Sequence, residues 1–377
     1  MPFLDCPPLS SWLFLLMSSP RCLQHVYQCI CTCLSLLLNS FLVFLIIRKS
    51  PKKLGDYKIL MLYTVVFESF YTTVDLVTEP TAYSHGYAFV VFRRYNDTWT
   101  NSTQSQLLTL TWCGLFGSSM AVFGAHFVYR FAAVHHSQGI PTKIQLIGRN
   151  VYYLAAVPLV YGVWWGVVCV LNCRYSPENA ETWEYMRSIT KSLYDLEIDD
   201  ISYIAAVFYI ADPITGSLSL NPSTWIAMCQ FSLMVGSSMF CVFYLGSKCY
   251  LEISNQLSQT SAVSQLTSAL QQQLFFALVG QTLIPLTLMY IPICIFFFCP
   301  LLIIDIGVIS TFLTHTVTLY PVLDPLPNML IIKSYRNAIL DMWKRFKKTA
   351  HLSNATGLET VTSVHSTMKH YNHSSII

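Results

Sequence analysis

Long apolar runs separated by short polar segments dominate the chain, and seven of them are long enough to cross a bilayer. They fall at Val26–Ile47, Ile59–Val77, Leu107–Val128, Val151–Leu171, Ser223–Leu245, Phe275–Phe298 and Leu301–Tyr320. The hydrocarbon core is about 30 Å thick, so a helix needs on the order of 20 predominantly apolar residues to span it. A helix also satisfies its own backbone hydrogen bonds, which lipid cannot do. The period-2 alternation of a lipid-facing barrel is absent. The last two runs belong to one nearly unbroken apolar stretch, Leu274–Tyr320. As a single helix it would be roughly 70 Å long at about 1.5 Å per residue, more than twice the core thickness, so it must fold back. Cys299-Pro300 is the expected turn, because proline removes a donor and disfavours helix at the residue before it. The pattern predicts an all-α integral membrane protein, a seven-transmembrane helix bundle.

Composition agrees. Hydrophobic residues make up 54% of the 377 and charged residues 11%, against about 25% charged in a typical soluble domain. The distribution of charge sets an orientation. With the amino terminus extracellular and the carboxyl terminus cytoplasmic, sixteen Lys and Arg lie inside and six outside, as the positive-inside rule requires. The basic residues hug membrane edges, so no nucleic-acid partner is expected. Two sequons, at Asn96 and Asn101, then fall in the extracellular loop between the second and third runs and are expected to be glycosylated. Two more, at Asn354 and Asn372, fall inside and are expected to stay unmodified.

The expected organisation is an extracellular tail (1–24), the bundle (25–332), an amphipathic membrane-surface helix (333–348) and a disordered cytoplasmic tail (349–377). The surface helix follows from Ile332, Tyr335, Ile339, Trp343 and Phe346, which recur every three or four residues among Lys and Arg. The segment Lys248–Gln273 reads as helical extensions of its flanking spans. The loop Asn172–Pro222 is the longest and is acidic, and it reads as a solvated cover.

Ionisable groups inside lipid are costly and need a role. Glu68 and Asp75 are seven apart and share a helix face. Glu68 reads as a structural carboxyl bonded to neighbouring helices. For Asp75 that reading and a ligand contact stand level. Asp305, at the extracellular end of the seventh run, either touches ligand or faces headgroups. His126 and Arg130 share a face at the cytoplasmic end of the third run, with Tyr129 beside them. Arg130 either snorkels or latches the bundle. Pro285 and Pro292 interrupt the sixth run, and Pro321 and Pro325 the end of the seventh; each frees a backbone acceptor and permits bending. Cys113 has Cys169 and Cys173 as candidate disulfide partners. No nucleophile–base pair, phosphate loop or metal-ligand spacing emerges from the sequence, so neither enzyme activity nor a cofactor or metal is expected.

Four strings resemble the nematode serpentine chemoreceptors of class r, the Str group, which includes a diacetyl odorant receptor. They are Ser50-Pro51-Lys52-Lys53-Leu54-Gly55-Asp56-Tyr57, His126-Phe127-Val128-Tyr129-Arg130-Phe131, Gln272-Gln273-Leu274-Phe275 with Gln281-Thr282-Leu283-Ile284-Pro285, and Tyr320-Pro321-Val322-Leu323-Asp324-Pro325-Leu326 through Tyr335-Arg336. The resemblance runs from about Gln24 to Leu340, and Met1 to about Leu23 extends beyond the family's usual start. It implies a G-protein-coupled receptor of chemosensory neurons, on the plasma membrane and often on the cilium. Such a receptor would bind a small-molecule odorant or soluble chemical in the extracellular half of the bundle and activate a heterotrimeric G protein. By the same resemblance His126, Tyr129 and Arg130 mark G-protein coupling and Asp324-Pro325 a seventh-helix switch; the Ser and Thr residues of the tail, by composition, offer sites to a receptor kinase and arrestin. Tyr129 stands where the broader pattern has an acid. On the residues alone the alternatives are a seven-span channel or transporter, with Glu68, Asp75 and Asp305 along an ion path, and an orphan member that no longer signals.

Overall fold

The computed structural model describes residues 20–51, 54–95, 98, 100–136, 151–172, 187, 190–191, 197–212, 214–215, 217–258 and 262–349. Each apolar run folds as a helix. In order these are α1 (Pro20–Lys49), α2 (Tyr57–Thr78), α3 (Ser102–His136) and α4 (Val151–Asn172). Next, α5 runs Pro222–Phe240, widens into a π-helical turn at Cys241–Leu245 and continues as Gly246–Ser258. The sixth helix, α6, runs Ala262–Pro285, passes through a second π-helical turn at Leu286–Tyr290 and continues as Ile291–Leu301. These six are long and apolar enough to cross a membrane. The seventh, α7 (Val308–Leu323), is 16 residues long and runs on through Asp324 into α8 (Pro325–Ile331). Together α7 and α8 reach roughly 35 Å at about 1.5 Å per residue, enough to span. A last helix, α9, covers 333–349. The expected extensions through Lys248–Gln273 are present as the ends of α5 and α6.

The fold-back between α6 and α7 is not at Cys299-Pro300. The helix continues through Pro300 and the turn occupies 302–307. A capping motif accounts for this. Ile304 N–H donates to Cys299 O at 2.8 Å and Ile303 N–H to Pro300 O at 3.1 Å, with Ile303 at φ 58°. Those are the two bonds of a Schellman cap, which satisfies carbonyls at a helix end. Its left-handed position usually takes glycine, and a β-branched residue there is rare. The sequence therefore carries no ordinary signal for it.

Strands, which the hydropathy pattern did not announce, close one end of the bundle. β1 (Thr81–His85) and β2 (Ala88–Arg94) form an antiparallel hairpin. Its two-residue turn begins at Gly86, whose φ of 54° suits a residue without Cβ. β3 (Ile201–Val207), from the loop after α4, pairs antiparallel with β2. β4 (Tyr209–Ala211) and β5 (Leu218–Leu220) form a second hairpin. The acidic loop is thus partly a strand-built cover. Alternation sorts the three-stranded sheet into two faces. The cross-strand row Ala82, Val91 and Ile204 packs into the bundle core, while Tyr83, Val90, Phe92, Tyr203 and Val207 form a separate cluster on the other face. Arg93 fastens the sheet to the helices. Its guanidinium donates to Thr100 Oγ1 at 2.6 Å, Ser105 Oγ at 2.9 Å and Val77 O at 3.3 Å. Burial lowers the Arg93 pKa, and the charge of Glu79 opposes that shift.

Helices α3 and α4 pack through small residues, as bundles in lipid do. A Cβ on Gly162 would lie 2.7 Å from Gly114 O and 2.1 Å from Ser118 Oγ, whereas one on Gly166 would meet nothing within 4 Å. Substituting Gly162→Ala should cost about 1–3 kcal/mol of stability by overpacking. Gly166→Ala should be neutral or stabilising by up to about 1 kcal/mol through helix propensity. Thermal unfolding of the two purified variants checks the pair; equal melting temperatures would contradict the packing.

Candidate functional site

Under the sheet, α3, α4, α5, α6 and α7 enclose a cavity of about 70 Å³. Its wall is aromatic and aliphatic: Trp112, Phe116, Trp165, Phe231, Phe296 and Phe297 from the helices, and Ala82, Phe89, Val91 and Ile204 from the strands. Trp165 and Phe231 stack at 4.3 Å between ring centroids, and Phe89 meets Phe296 at 5.0 Å. Among the described residues the polar lining consists of Thr224, Thr314 and the thiols of Cys113 and Cys169, and no charged side chain lines it. Thr314 Oγ1 is already committed to the sheet, bonding Ala82 O at 3.2 Å and Ala82 N–H at 3.3 Å. The two thiols lie in hydrogen-bonding contact, and both are free. Such a chamber suits a small uncharged apolar molecule and disfavours an ion, whose desolvation nothing there would offset.

Behind the cavity wall runs a chain of buried polar groups. Trp112 Nε1–H donates to Asp75 Oδ1 at 2.7 Å, and Thr318 Oγ1 donates to Asp75 Oδ2 at 3.0 Å, so one carboxyl ties α2 to α3 and α7. Further along, Tyr320 OH donates to Glu68 Oε1 at 3.3 Å. Gln281 Nε2 on α6 donates to Asp324 Oδ2 at 2.7 Å. Prolines add to this chain. Pro325 cannot donate to the carbonyl four residues back, and Pro321 O accepts instead from Ser35 Oγ at 3.0 Å and Asn39 Nδ2 at 3.2 Å on α1. Pro292 likewise leaves Leu288 O to Thr316 Oγ1 on α7, at 2.8 Å. Pro285 ends the first segment of α6, so the π-helical turn occupies the stretch between it and the restart at Ile291-Pro292.

At the end opposite the strands, Arg130 is 2% exposed. Its guanidinium carbon sits 3.6 Å over the Tyr57 ring, and Nη1–H donates to Gln271 Oε1 on α6 at 3.0 Å. The remaining Nε and Nη2 groups are buried without a hydrogen-bond partner. The cation is therefore held by a π face and one amide. His126 bridges α3 to α2, with Nδ1 at 3.1 Å from Tyr57 OH and Nε2 at 2.7 Å from Thr64 Oγ1. Tyr129 packs on Tyr57 at 5.4 Å between centroids.

Comparison with known proteins settles the family. Residues 24–340 match the family model for the serpentine type 7TM GPCR chemoreceptor Str. The chain is 32% identical over 308 residues to the Caenorhabditis elegans G-protein coupled receptor str-217, covering 82% of this chain and 86% of that one. It is 28% identical over 325 residues to serpentine receptor class r-10 of the same organism, covering 85% and 91%. The chain belongs to the Str family of serpentine chemoreceptors. Its fold resembles squid rhodopsin with a TM-score of 0.52 at 10% identity, covering 85% of this chain and 80% of that one.

The Str-family chain places its sequence-predicted residues unevenly. Glu68, Asp75, Asp324 and Pro325 belong to the chain of buried polar groups, and Pro285 and Pro292 flank the π-helical turn of α6. His126, Tyr129 and Arg130 meet at Tyr57. Of the two acids for which ligand contact was one reading, neither lines the cavity: Asp75 stands behind Trp112, and Asp305 Oδ2 lies 2.9 Å from His85 Nδ1, about half exposed at the sheet tip. Asn101 caps α3, exchanging bonds with Gln104 at 2.9 and 3.2 Å. Asn96, Cys173, Asn354 and Asn372 lie outside the described residues. Sequence reasoning missed Trp112, Thr318, Tyr57, Gln271 and Gln281. Tyr57 and Gln281 had a signal, as members of the Asp56-Tyr57 and Gln281-Thr282 strings. Trp112→Phe keeps the ring face but orphans a buried carboxylate oxygen, which costs about 1–3 kcal/mol. A drop in the thermal midpoint of the purified variant is expected; an unchanged midpoint would contradict the Trp112–Asp75 bond.

Proposed function

We propose that this Str-family protein is an odorant-type receptor that takes a small uncharged molecule into the sheet-capped cavity and signals to a heterotrimeric G protein at the Arg130 end. The strand-bearing end then faces the exterior, with the amino terminus, and α9 with the carboxyl terminus faces the cytoplasm; the excess of Lys and Arg near the Arg130 end supports this orientation. The single observation that carries the reading is a chamber under the sheet, with no charged side chain among its described lining residues, whose wall residue Trp112 bonds directly to the buried carboxyl of Asp75. An occupant moves the equilibrium only by binding one arrangement better than another. Contact with Trp112, Phe296 and Phe297 gives it that leverage on α3 and α6. The response passes along Asp75, Thr318 and Tyr320 to the Glu68 and Asp324 carboxyls, and so to α6 through Gln281.

At the far end the Arg130–Gln271 bond joins α3 to α6 and holds the cleft shut. Its release frees a buried guanidinium for the partner protein. Placement in the plasma membrane of a sensory neuron, including its cilium, and regulation of the tail by a receptor kinase and arrestin complete the proposal, with glycans on Asn96 and Asn101.

Nucleotide exchange on a purified G protein, driven by a panel of uncharged ketone, ester and aromatic volatiles, tests this. Ala227→Phe fills the cavity and should abolish evoked exchange while keeping basal exchange. Gln271→Ala should raise basal exchange, and Arg130→Ala should remove both. An Ala227→Phe variant that reaches the surface and responds like the parent would sink the assignment of the cavity.

A further inference from the structure

A second recess lies away from the chemosensory cavity, between α3, α5 and α6 in the half nearer Arg130, with a volume of about 400 Å³. Its floor is Phe127, Val242 and Phe275, all buried, and its rim is Phe243, Leu251 and Leu283, which are 59%, 56% and 54% exposed. The backbone makes the space. The π-helical turn Cys241–Leu245 widens α5, and Gly246 follows it, where an added Cβ would come within 3.0 Å of the Phe127 ring. The recess is mainly apolar: the Thr282 hydroxyl donates to Leu278 O at 2.8 Å on its own helix, and the other two hydroxyl-bearing lining residues, Ser247 and Tyr250, are exposed. Water needs two or more polar partners to stay in such a site.

We infer that this recess is a binding site for one acyl chain of a bilayer phospholipid. Three observations choose that occupant. The rim is continuous with exposed apolar residues on the same helices, Phe240 and Tyr244 on α5 and Phe276 on α6, which in a multi-pass protein face hydrocarbon. The lining runs from Met239 to Leu251 on α5 and from Phe275 to Leu286 on α6, roughly 16–18 Å at about 1.5 Å per residue. That length matches one leaflet, about half of a 30 Å core. Lys248, exposed on the turn that carries Ser247, supplies a cation for the phosphate at the head of such a chain. An occupying chain touches both α5 and α6 and so favours the arrangement in which they frame this recess. The inference stands apart from any reading of the odorant or the G protein.

The test uses the full-length protein in nanodiscs of phosphatidylcholine and phosphatidylglycerol carrying a diazirine near the end of one acyl chain. After irradiation, adducts are mapped by mass spectrometry. Labelling of the recess should exceed that of the lipid-facing residues Val160 and Val163 on α4 by at least about fivefold, the ratio for roughly 1 kcal/mol of preference. Leu283→Trp, entering from α6, and Ser247→Trp, entering from α5, should each bring recess labelling down to the α4 level; two variants guard against one failing to fold. Equal labelling of recess and α4 face in the parent, or recess labelling unchanged in whichever tryptophan variant folds, would overturn the site.

Discussion

Polar groups buried in a bundle without water must find their partners on other helices, and this requirement organises the structure. The carbonyls freed by Pro325 and Pro292 are taken by Ser35 and Asn39 of α1 and by Thr316 of α7. The carboxyl of Asp75 takes one donor from α3 and one from α7. Glu68 accepts from Tyr320 of α7, and Asp324 accepts from Gln281 of α6. Each bond crosses a helix interface, so rearranging one helix means exchanging partners rather than exposing groups to solvent. Discrete exchanges of this kind give a bundle distinct arrangements.

The cavity lies at one end of this network and Arg130 at the other, the two poles of the proposed signalling route. The sheet does more than cover the first pole. Ala82, Val91 and Ile204 are wall residues of the chamber itself, so loops from both sides of α3 and α4 help decide what fits. At the second pole the cation has no carboxylate within its described bonds, only an aromatic face and an amide. An amide is a weaker anchor for guanidinium than a carboxylate, so the Arg130–Gln271 bond is a weaker tie between α3 and α6 than an ion pair would be.

The spans were legible because hydrocarbon leaves composition little freedom, and the family was legible because its strings carry side chains that bond between helices, among them Tyr57, Arg130, Gln281 and Asp324. The fold-back was misplaced because the cap rests on Ile303, a residue type that gives no warning of a left-handed backbone. The sheet was passed over because β2 and β3 are buried on both faces and read as short apolar runs without alternation. Neither π-helical turn leaves a mark in hydropathy, although Pro285 and Pro292 bracket one of them. The ionisable residues stood out because charge inside lipid is rare. Their neutral partners Trp112, Thr318 and Gln271 did not, since only the packing of helices far apart in the chain selects them.

The account depends on α3 and α6 being joined at Arg130 and Gln271 in the resting arrangement and parting when that bond is lost. The most direct measurement is the distance between spin labels on Ala133 of α3 and Gln272 of α6, by double electron–electron resonance, with exposed cysteines replaced. In the parent protein a single short population is expected, and in Gln271→Ala a second, longer population should appear beside it. Superimposable distributions for the two proteins would contradict the latch and the signalling route built on it.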